Sequence, residues 1–362
     1  MMGAVLGIET SCDDTSAAVL TDGGRVLSSV VSSQNEVHAP YGGVVPELAS
    51  RQHLQTLPSV VRQALDEAET SLDGLSALAV TCGPGLLGSL LVGVSYAKAM
   101  AWGRKLPVLG VNHVEAHLRS PWIEHPGLPY PALALAVSGG HSHMFLCLGA
   151  GEVELVAATR DDAAGEALDK LAKRMNLPYP GGPVIDRLAA RGDSKAVTFS
   201  LPRMAQGSLD FSFSGLKTAA LHYMRTKGLE PDPSPDLERL PQWEYDLLAS
   251  YQKRVVDHLI QRLKKAALIL KPASLVMAGG VACNSLLRSR LSQLGGELGV
   301  PAAFPSPRFC TDNAAMVAFL ALDKMGGRAP STGAEDAFPT ARWERMGIDH
   351  LGACHAFDSH GR

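Results

Sequence analysis

The feature that most constrains this chain is that its two halves repeat one order of patterns. Residues 4–21, AVLGIETSCDDTSAAVLT, run as apolar strand, small polar turn and apolar strand, and residues 132–149, ALALAVSGGHSHMFLCLG, share that layout. Later in each half comes an apolar strand, a glycine loop and a helix-like stretch: LSALAVTCGPGLLGSLLVGVSYAKAM at 75–100 and ASLVMAGGVACNSLLRSRL at 273–291. Short apolar runs flanked by small polar residues predict hairpins, and strand–glycine–helix units predict the layers of an α/β protein. Such units are common singly, but the same order in both halves points to duplication. The expected fold class is α/β, built twice, with two lobes facing a cleft.

The bulk numbers agree with this. At 362 residues the chain outgrows one ordinary core and fits two. Its 46% hydrophobic and 19% charged residues are those of a folded globular protein. Gly88, Ser89, Ser95 and Lys98 interrupt the best candidate for a membrane span. The start MMGAVLGIET lacks a basic flank and enters a strand pattern at once, so no leader and a cytoplasmic location are expected. Cys12, Cys82, Cys147, Cys283, Cys310 and Cys354 form no C-x-x-C pair and no disulfide or zinc framework.

Helical periodicity covers 45–69 and 246–270. The stretch LEPDPSPDLERLP at 229–241 has four prolines and reads as an exposed loop or insert. Beyond Met325 the periodicity fades, and the tail reads as a partly disordered surface extension.

A strand that ends in glycine and opens a helix offers free backbone N–H groups to a phosphate. SGGH at 138–141, YPGGP at 179–183 and AGGVACN at 278–284 are such places, though none matches a P-loop or G-x-G-x-x-G. Together they predict a nucleotide cleft, where Asp186 and Asn284 would read base or ribose edges. Asn284 would equally serve as a helix N-cap.

His113 and His117, in VNHVEAHLRS, lie four apart and share one helix face. The strand-like PVLGV before them places the pair at a strand's carboxyl end. Glu115 points elsewhere, roughly 200° around the helix from His113, unlike the glutamate of the H-E-x-x-H peptidases. Such a pair is commonly just a packed or solvated face, and a third ligand has to decide. Asp312, at the head of the apolar helix in FCTDNAAMVA, is the candidate, with an N-cap as its plain alternative. Two imidazoles and a carboxylate suit ferrous iron or zinc.

GIETSCDDTS (7–16), HVEAH (113–117), AVSGGHS (136–142), DDAAGEALDK (161–170), YPGGP (179–183), FSFSGLKTA (211–219), AGGVACN (278–284) and FCTDNAAM (309–316) occur in family order. On these motifs, spread over residues 4 to about 320, the chain resembles the bacterial tRNA N6-adenosine threonylcarbamoyltransferase family (TsaD, formerly called an O-sialoglycoprotein endopeptidase). The resemblance implies an actin-like, Hsp70-like duplicated ATPase fold with two lobes around a nucleotide cleft. On it, residues 1–128 would form the first lobe, completed by a helix at about 313–325. Residues 129–312 would form the second lobe, with the Pro-rich insert, and 326–362 an extension. His113, His117 and Asp312 are implied to bind one divalent metal, Fe(2+) foremost and Zn(2+) otherwise. Ala136, Val137, Ser138, Gly139, Gly140, Asp169, Gly182, Asp186 and Asn284 are implied to bind the adenylate donor.

The implied reaction moves a threonylcarbamoyl group from threonylcarbamoyl-AMP to N6 of adenosine 37, in tRNAs reading codons that begin with A. Implied partners are the tRNA anticodon loop, a TsaB-like paralogue, a TsaE-like ATPase and a threonylcarbamoyl-AMP synthase. His143, where relatives often carry Gln or Glu, and the tail after Trp343 depart from the family pattern. Glu9, Asp13 and Asp14 are tempting general bases, but in the actin-like fold that the resemblance implies their turn faces the phosphates and they could instead organise waters or the ion, so no catalytic base is assigned. With a net charge of -3, RNA has to find a local basic patch. Lys170, Lys173, Arg174, Arg187, Arg191 and Lys195 are the candidates, although such runs are usually only a solvated face. Other readings of the fold are an ATP-dependent small-molecule kinase and a non-enzymatic ATP-binding scaffold.

Overall fold

The computed structural model describes residues 3–149, 151–200, 207–326 and 337. Most of the C-terminal extension thus lies outside the described residues. The first sheet contains β1 (Ala4–Glu9), β2 (Asp14–Thr21), β3 (Val26–Ser33), β4 (Leu75–Gly83) and β5 (Val108–Asn112), in the order β3-β2-β1-β4-β5. The second contains β6 (Ala132–Val137), β7 (Ser142–Gly149), β8 (Glu152–Ala158), β9 (Ser274–Ala278) and β10 (Ala302–Ala303), in the order β10-β9-β6-β7-β8. The two orders are the same plan. Three antiparallel strands form a meander, the first of them pairs in parallel with the fourth, and the fourth with the fifth.

Both expected hairpins and both strand–glycine–helix units are present, so the structure repeats as the sequence does. The third strand of each meander, β3 and β8, was not expected. VLSSVVSS breaks apolar alternation with paired serines, and EVELVAA begins with charged residues, so neither carries a strong period of two. The helix expected over 45–69 runs Pro46–Glu67, and that over 246–270 runs Gln242–Leu270. Residues 229–241 contain no helix or strand.

β1, β6 and β9 are buried along their whole length. Their almost wholly apolar composition, broken only by Glu9 at the end of β1 and Ser274 at the start of β9, goes with sheets covered on both faces. On the first sheet, Leu6, Ile8 and Val19 meet Leu57, Val60, Val61 and Val94 of the helices Pro46–Glu67 and Leu87–Arg104. The alternate residues Val5, Ala18 and Leu20 meet the helix Ala314–Met325 on the opposite face. On the second sheet, Leu133, Leu135 and Val137 form the large core with the helices Ala164–Arg174, Gly181–Ala189 and Gln242–Leu270.

The short helix His113–Arg119 is a wedge between the two sheets. Its Ala116 packs with the first sheet's core, while Val114 and Leu118 pack with Ala132, Ala134 and Val276 of the second. Each of its buried leucine-sized side chains contributes about 2–3 kcal/mol. The histidines on this wedge are thereby fixed against both halves. No helix among the described residues is long and apolar enough to cross a membrane.

Candidate metal and adenylate site

β5 ends at Asn112, whose side chain accepts from the Val114 and Glu115 backbone N–H groups at 2.9 and 3.2 Å and starts the wedge helix. Two positions four apart bring the buried rings of His113 and His117 edge to face, with centroids 4.7 Å apart. Asp312 Oδ1 lies 3.0 Å from His117 Nε2 and 3.6 Å from His113 Nε2. The ordinary explanation for Asp312, a helix cap, does not apply. Asn313 caps Ala314–Met325 instead, accepting from Met316 N–H at 3.0 Å, and leaves the Asp312 carboxylate for the histidines. Glu115 faces away, paired with Lys324 at 2.8 Å.

One ligand atom from each of His113, His117 and Asp312 falls within 4.8 Å of the others. Donors about 2.0–2.1 Å from a common ion at tetrahedral angles stand roughly 3.3 Å apart, which brackets with the two observed N···O separations. The donor types and spacing therefore fit a divalent cation. Electrostatics agree. Burial disfavours ionisation of Asp312, yet the His113 and His117 imidazoles hold its carboxyl well below the usual range. Burial likewise opposes a charged His113, but Asp312 and Glu9 push it up to about 9. Without metal the cluster thus keeps a proton where a cation fits.

Of the three carboxylates in the first hairpin, Glu9 is turned inward and has no exposure. Asp13 and Asp14 are half-buried beside the cluster. Burial, together with the charges of Asp312, Asp13 and Glu9, pushes Asp14 up to about 7. His141 is half-buried and lowered to about 4 by burial and by His143, His113 and His117, so its imidazole is neutral.

The glycine segments also converge. At Gly279, with φ +91°, a Cβ would stand 2.3 Å from the Val137 carbonyl, so only glycine fits. At Gly165 a Cβ would stand 2.6 Å from the Ser138 carbonyl. These close approaches lock the 137–140 loop between the short 3-10 turn Gly280–Cys283 and the helix Ala164–Arg174. Gly139, Gly140, Gly182 and Gly280 have open space where a side chain would be. Asp169 Oδ1 accepts from the N–H groups of Gly181 and Gly182 at 2.8 and 3.2 Å. Asp186 accepts from Gln252 Nε2 at 3.0 Å and from Ser285 N–H and Oγ at 3.0 and 2.8 Å. Asn284 caps Ser285–Leu298 through Leu287 N–H at 3.0 Å. Ala136 lies within β6, paired with His143 and with Ala278. Direct contacts thus join Asp169 to Gly182, Asp186 to Ser285 next to Asn284, and Ala136 to Ala278 at the head of the 279–284 segment.

The basic candidates are uneven. Lys170 is held by Asp162 and Glu166 at 2.6 and 2.8 Å, and Arg191 lies over the Tyr245 ring. Lys173, Arg174, Arg187 and Lys195 are exposed. What sequence reasoning missed is the support behind His113: Ser11 and Thr81, together with the inward turn of Glu9. Their only signal is that polar side chains stand at or just past the carboxyl ends of otherwise apolar parallel strands.

A duplicated α/β fold of this order, with glycine loops at its strand ends, defines the class of actin-like ATPase-fold proteins. Among solved structures, HypF from T. kodakarensis aligns with 90% of this chain and 48% of its own, at a TM-score of 0.57 and 14% identity. Component A of (R)-2-hydroxyglutaryl-CoA dehydratase from Acidaminococcus fermentans aligns over 90% and 99%, at a TM-score of 0.52 and 16% identity. At those identities the likeness concerns the fold alone.

Within the class, the TsaD profile, "tRNA N6-adenosine threonylcarbamoyltransferase", matches residues 25–319. The enzyme of that name from Geobacter sulfurreducens is 50% identical over 330 residues, 90% of this chain and 94% of its own. That from Trichlorobacter lovleyi is 47% identical over 348 residues, 94% and 99% of the two chains. The chain belongs to this family and is a transferase; the kinase and scaffold readings are not favoured.

Proposed function

We propose that the chain transfers a threonylcarbamoyl group from threonylcarbamoyl-AMP to N6 of adenosine 37 in tRNAs that read codons beginning with A. The observation that carries this reading is the pairing of a His113–His117–Asp312 cluster with an open glycine loop at 138–140, in a chain of this family. The adenine N6 lone pair is delocalised into its ring, so the acyl donor has to be activated and held in place. N6 attacks the carbamoyl carbon, the bond from that carbon to the phosphate oxygen breaks, AMP leaves, and N6 gives up a proton. Backbone N–H groups of Gly139 and Gly140 would receive charge growing on the departing phosphate. Asp186 and Asn284 would hold the nucleoside end. Fe(2+), with Zn(2+) as the alternative, would be held by His113, His117 and Asp312, and supplies Lewis acidity toward the carbamoyl oxygen.

The proposed lobes are 1–128, completed by 313–325, and 129–312, with 326–362 as an extension. The tRNA would approach along exposed Lys173, Arg174, Arg187 and Lys195, and an anticodon-loop base needs little energy to expose. Family membership supports a TsaB-like paralogue, a TsaE-like ATPase and a donor synthase as partners, and a cytoplasmic location with its tRNA. The test is transfer of radiolabelled threonine to unmodified tRNA with these partners present. Label on adenosine 37 from the intact chain, lost in His113→Ala, is expected. Absence of label beside a competent known transferase overturns the proposal.

A further inference from the structure

The wedge helix can present His113 Nε2 to a metal only if the other ring nitrogen carries the proton, and one side chain is placed to enforce this. Glu9, at the end of β1, is fully buried, and its two oxygens have defined tasks. Oε1 accepts from the Ser11 backbone N–H at 2.5 Å. Oε2 accepts from Thr81 Oγ at 2.6 Å and lies 3.0 Å from His113 Nδ1. Ser11 Oγ is 3.1 Å from the same ring nitrogen. A buried carboxylate only accepts hydrogen bonds, so it holds a proton on Nδ1, and when a metal replaces the other ring proton it is Nε2, on the Asp312 side, that is left to bind it. His117 has no such support: its Nδ1 is buried without a hydrogen-bond partner.

We propose that Glu9 is a positioning residue for the metal: through the Nδ1–H of His113 it fixes that ring's tautomer and orientation, making His113 the pre-organised ligand. The inference rests on the metal reading of the cluster. It also explains a buried charge that contributes nothing to apolar packing and that three neighbours are arranged to satisfy. Outer carboxylates of this kind typically matter 10- to 100-fold for metal affinity.

Glu9→Gln is the discriminating variant because it preserves volume and removes one acceptor. If its carbonyl stays on Ser11 N–H, its NH2 faces His113 and demands a lone pair on Nδ1, which moves the ring proton to Nε2. The experiment is zinc binding to the stripped full chain by competition with a chromophoric chelator, with 15N spectra of the histidines in the zinc-loaded form. About a 10-fold or greater loss of zinc affinity in Glu9→Gln is expected, with a changed His113 Nδ1 signal and an unchanged far-UV spectrum. Thr81→Val, which removes only one hydroxyl behind Glu9, should lose a few-fold and serves if Glu9→Gln does not fold. Equal zinc affinity in the wild type and the variant that folds overturns the role of Glu9. Failure of the wild type itself to bind zinc or Fe(2+) overturns instead the metal reading beneath it.

Discussion

In the metal-free chain His113 should act as a pH-dependent source of stability. Its folded pKa of about 9 stands above the ordinary histidine value of about 6.5. The contribution is therefore complete below about pH 6.5, where both folded and unfolded chains carry the proton. It is lost as pH rises through the folded value, because only the folded chain then prefers the charged ring. At about 1.4 kcal/mol per tenfold difference in proton affinity, the effect is about 3 kcal/mol. Its physical source is the imidazolium held between Asp312 Oδ1 and Glu9 Oε2, 3.6 and 3.0 Å away. Guanidinium denaturation of chelator-treated protein at about pH 6.5 and about pH 9.5 measures it. The wild type should lose stability over this interval, and His113→Gln should lose about 3 kcal/mol less. Added zinc should reverse the trend, since metal and proton compete for the same nitrogen and metal gains as pH rises. An equal loss in the wild type and in His113→Gln would refute the reasoning.

Two further perturbations test other parts of the structure. Gly165→Ala places a methyl 2.6 Å from the Ser138 carbonyl and 2.9 Å from the Gly139 backbone; overpacking of this kind costs about 1–3 kcal/mol, and AMP binding by calorimetry should weaken far more than that cost alone explains if the displaced 138–140 loop takes the phosphate as proposed. Asp161 accepts from Ser212 Oγ, Phe213 N–H, and both Ser214 N–H and Oγ, at 2.5 to 3.2 Å, securing the start of the helix Ser214–Lys227. Asp161→Asn should destabilise by about 1.5–3 kcal/mol, read as a lower denaturation midpoint with zinc affinity unchanged.

The duplicated plan was legible because buried strands and glycine-bounded helices leave strong local patterns, which recur in order. β3 and β8 were not legible, since an outer strand of a meander needs apolar residues on fewer positions. The His113–His117 spacing announced a shared face but not a ligand set. What brings the third candidate to the pair is long-range: Asp312 Oδ1 reaches His117 Nε2 at 3.0 Å across the fold, while Asn313, one residue on, caps the following helix, and a cap shifted by one residue is invisible to pattern. Glu9 shows the opposite limit. Its acidic character suggested a general base or an organiser of waters or the ion, whereas the fold buries it behind His113, on Nδ1, with Asp312 on the Nε2 side. Local composition reports residue type; only strand pairing reports which way the residue turns.

Asp312 lies on the chain's crossing between its two cores, and this gives the cluster a mechanical consequence. Cys310 is buried in the large core of the second sheet, with Arg288 Nη2 3.2 Å from its sulfur. Ala314 is buried against the first sheet, its N–H donating to Ser16 Oγ at 2.9 Å. Only residues 311–313 separate these two anchors. His113 and His117, for their part, stand on the wedge that touches both sheets. An ion bound by all three ligands would therefore tie the crossing segment to the wedge and oppose any separation of the two sheets at that point. The glycine loop that would take the phosphate belongs to the second sheet, and the support of His113 to the first. Holding the two ends of one donor molecule would thus require the two sheets to keep a fixed relation, and an ion at Asp312, His113 and His117 would be a local means of doing so.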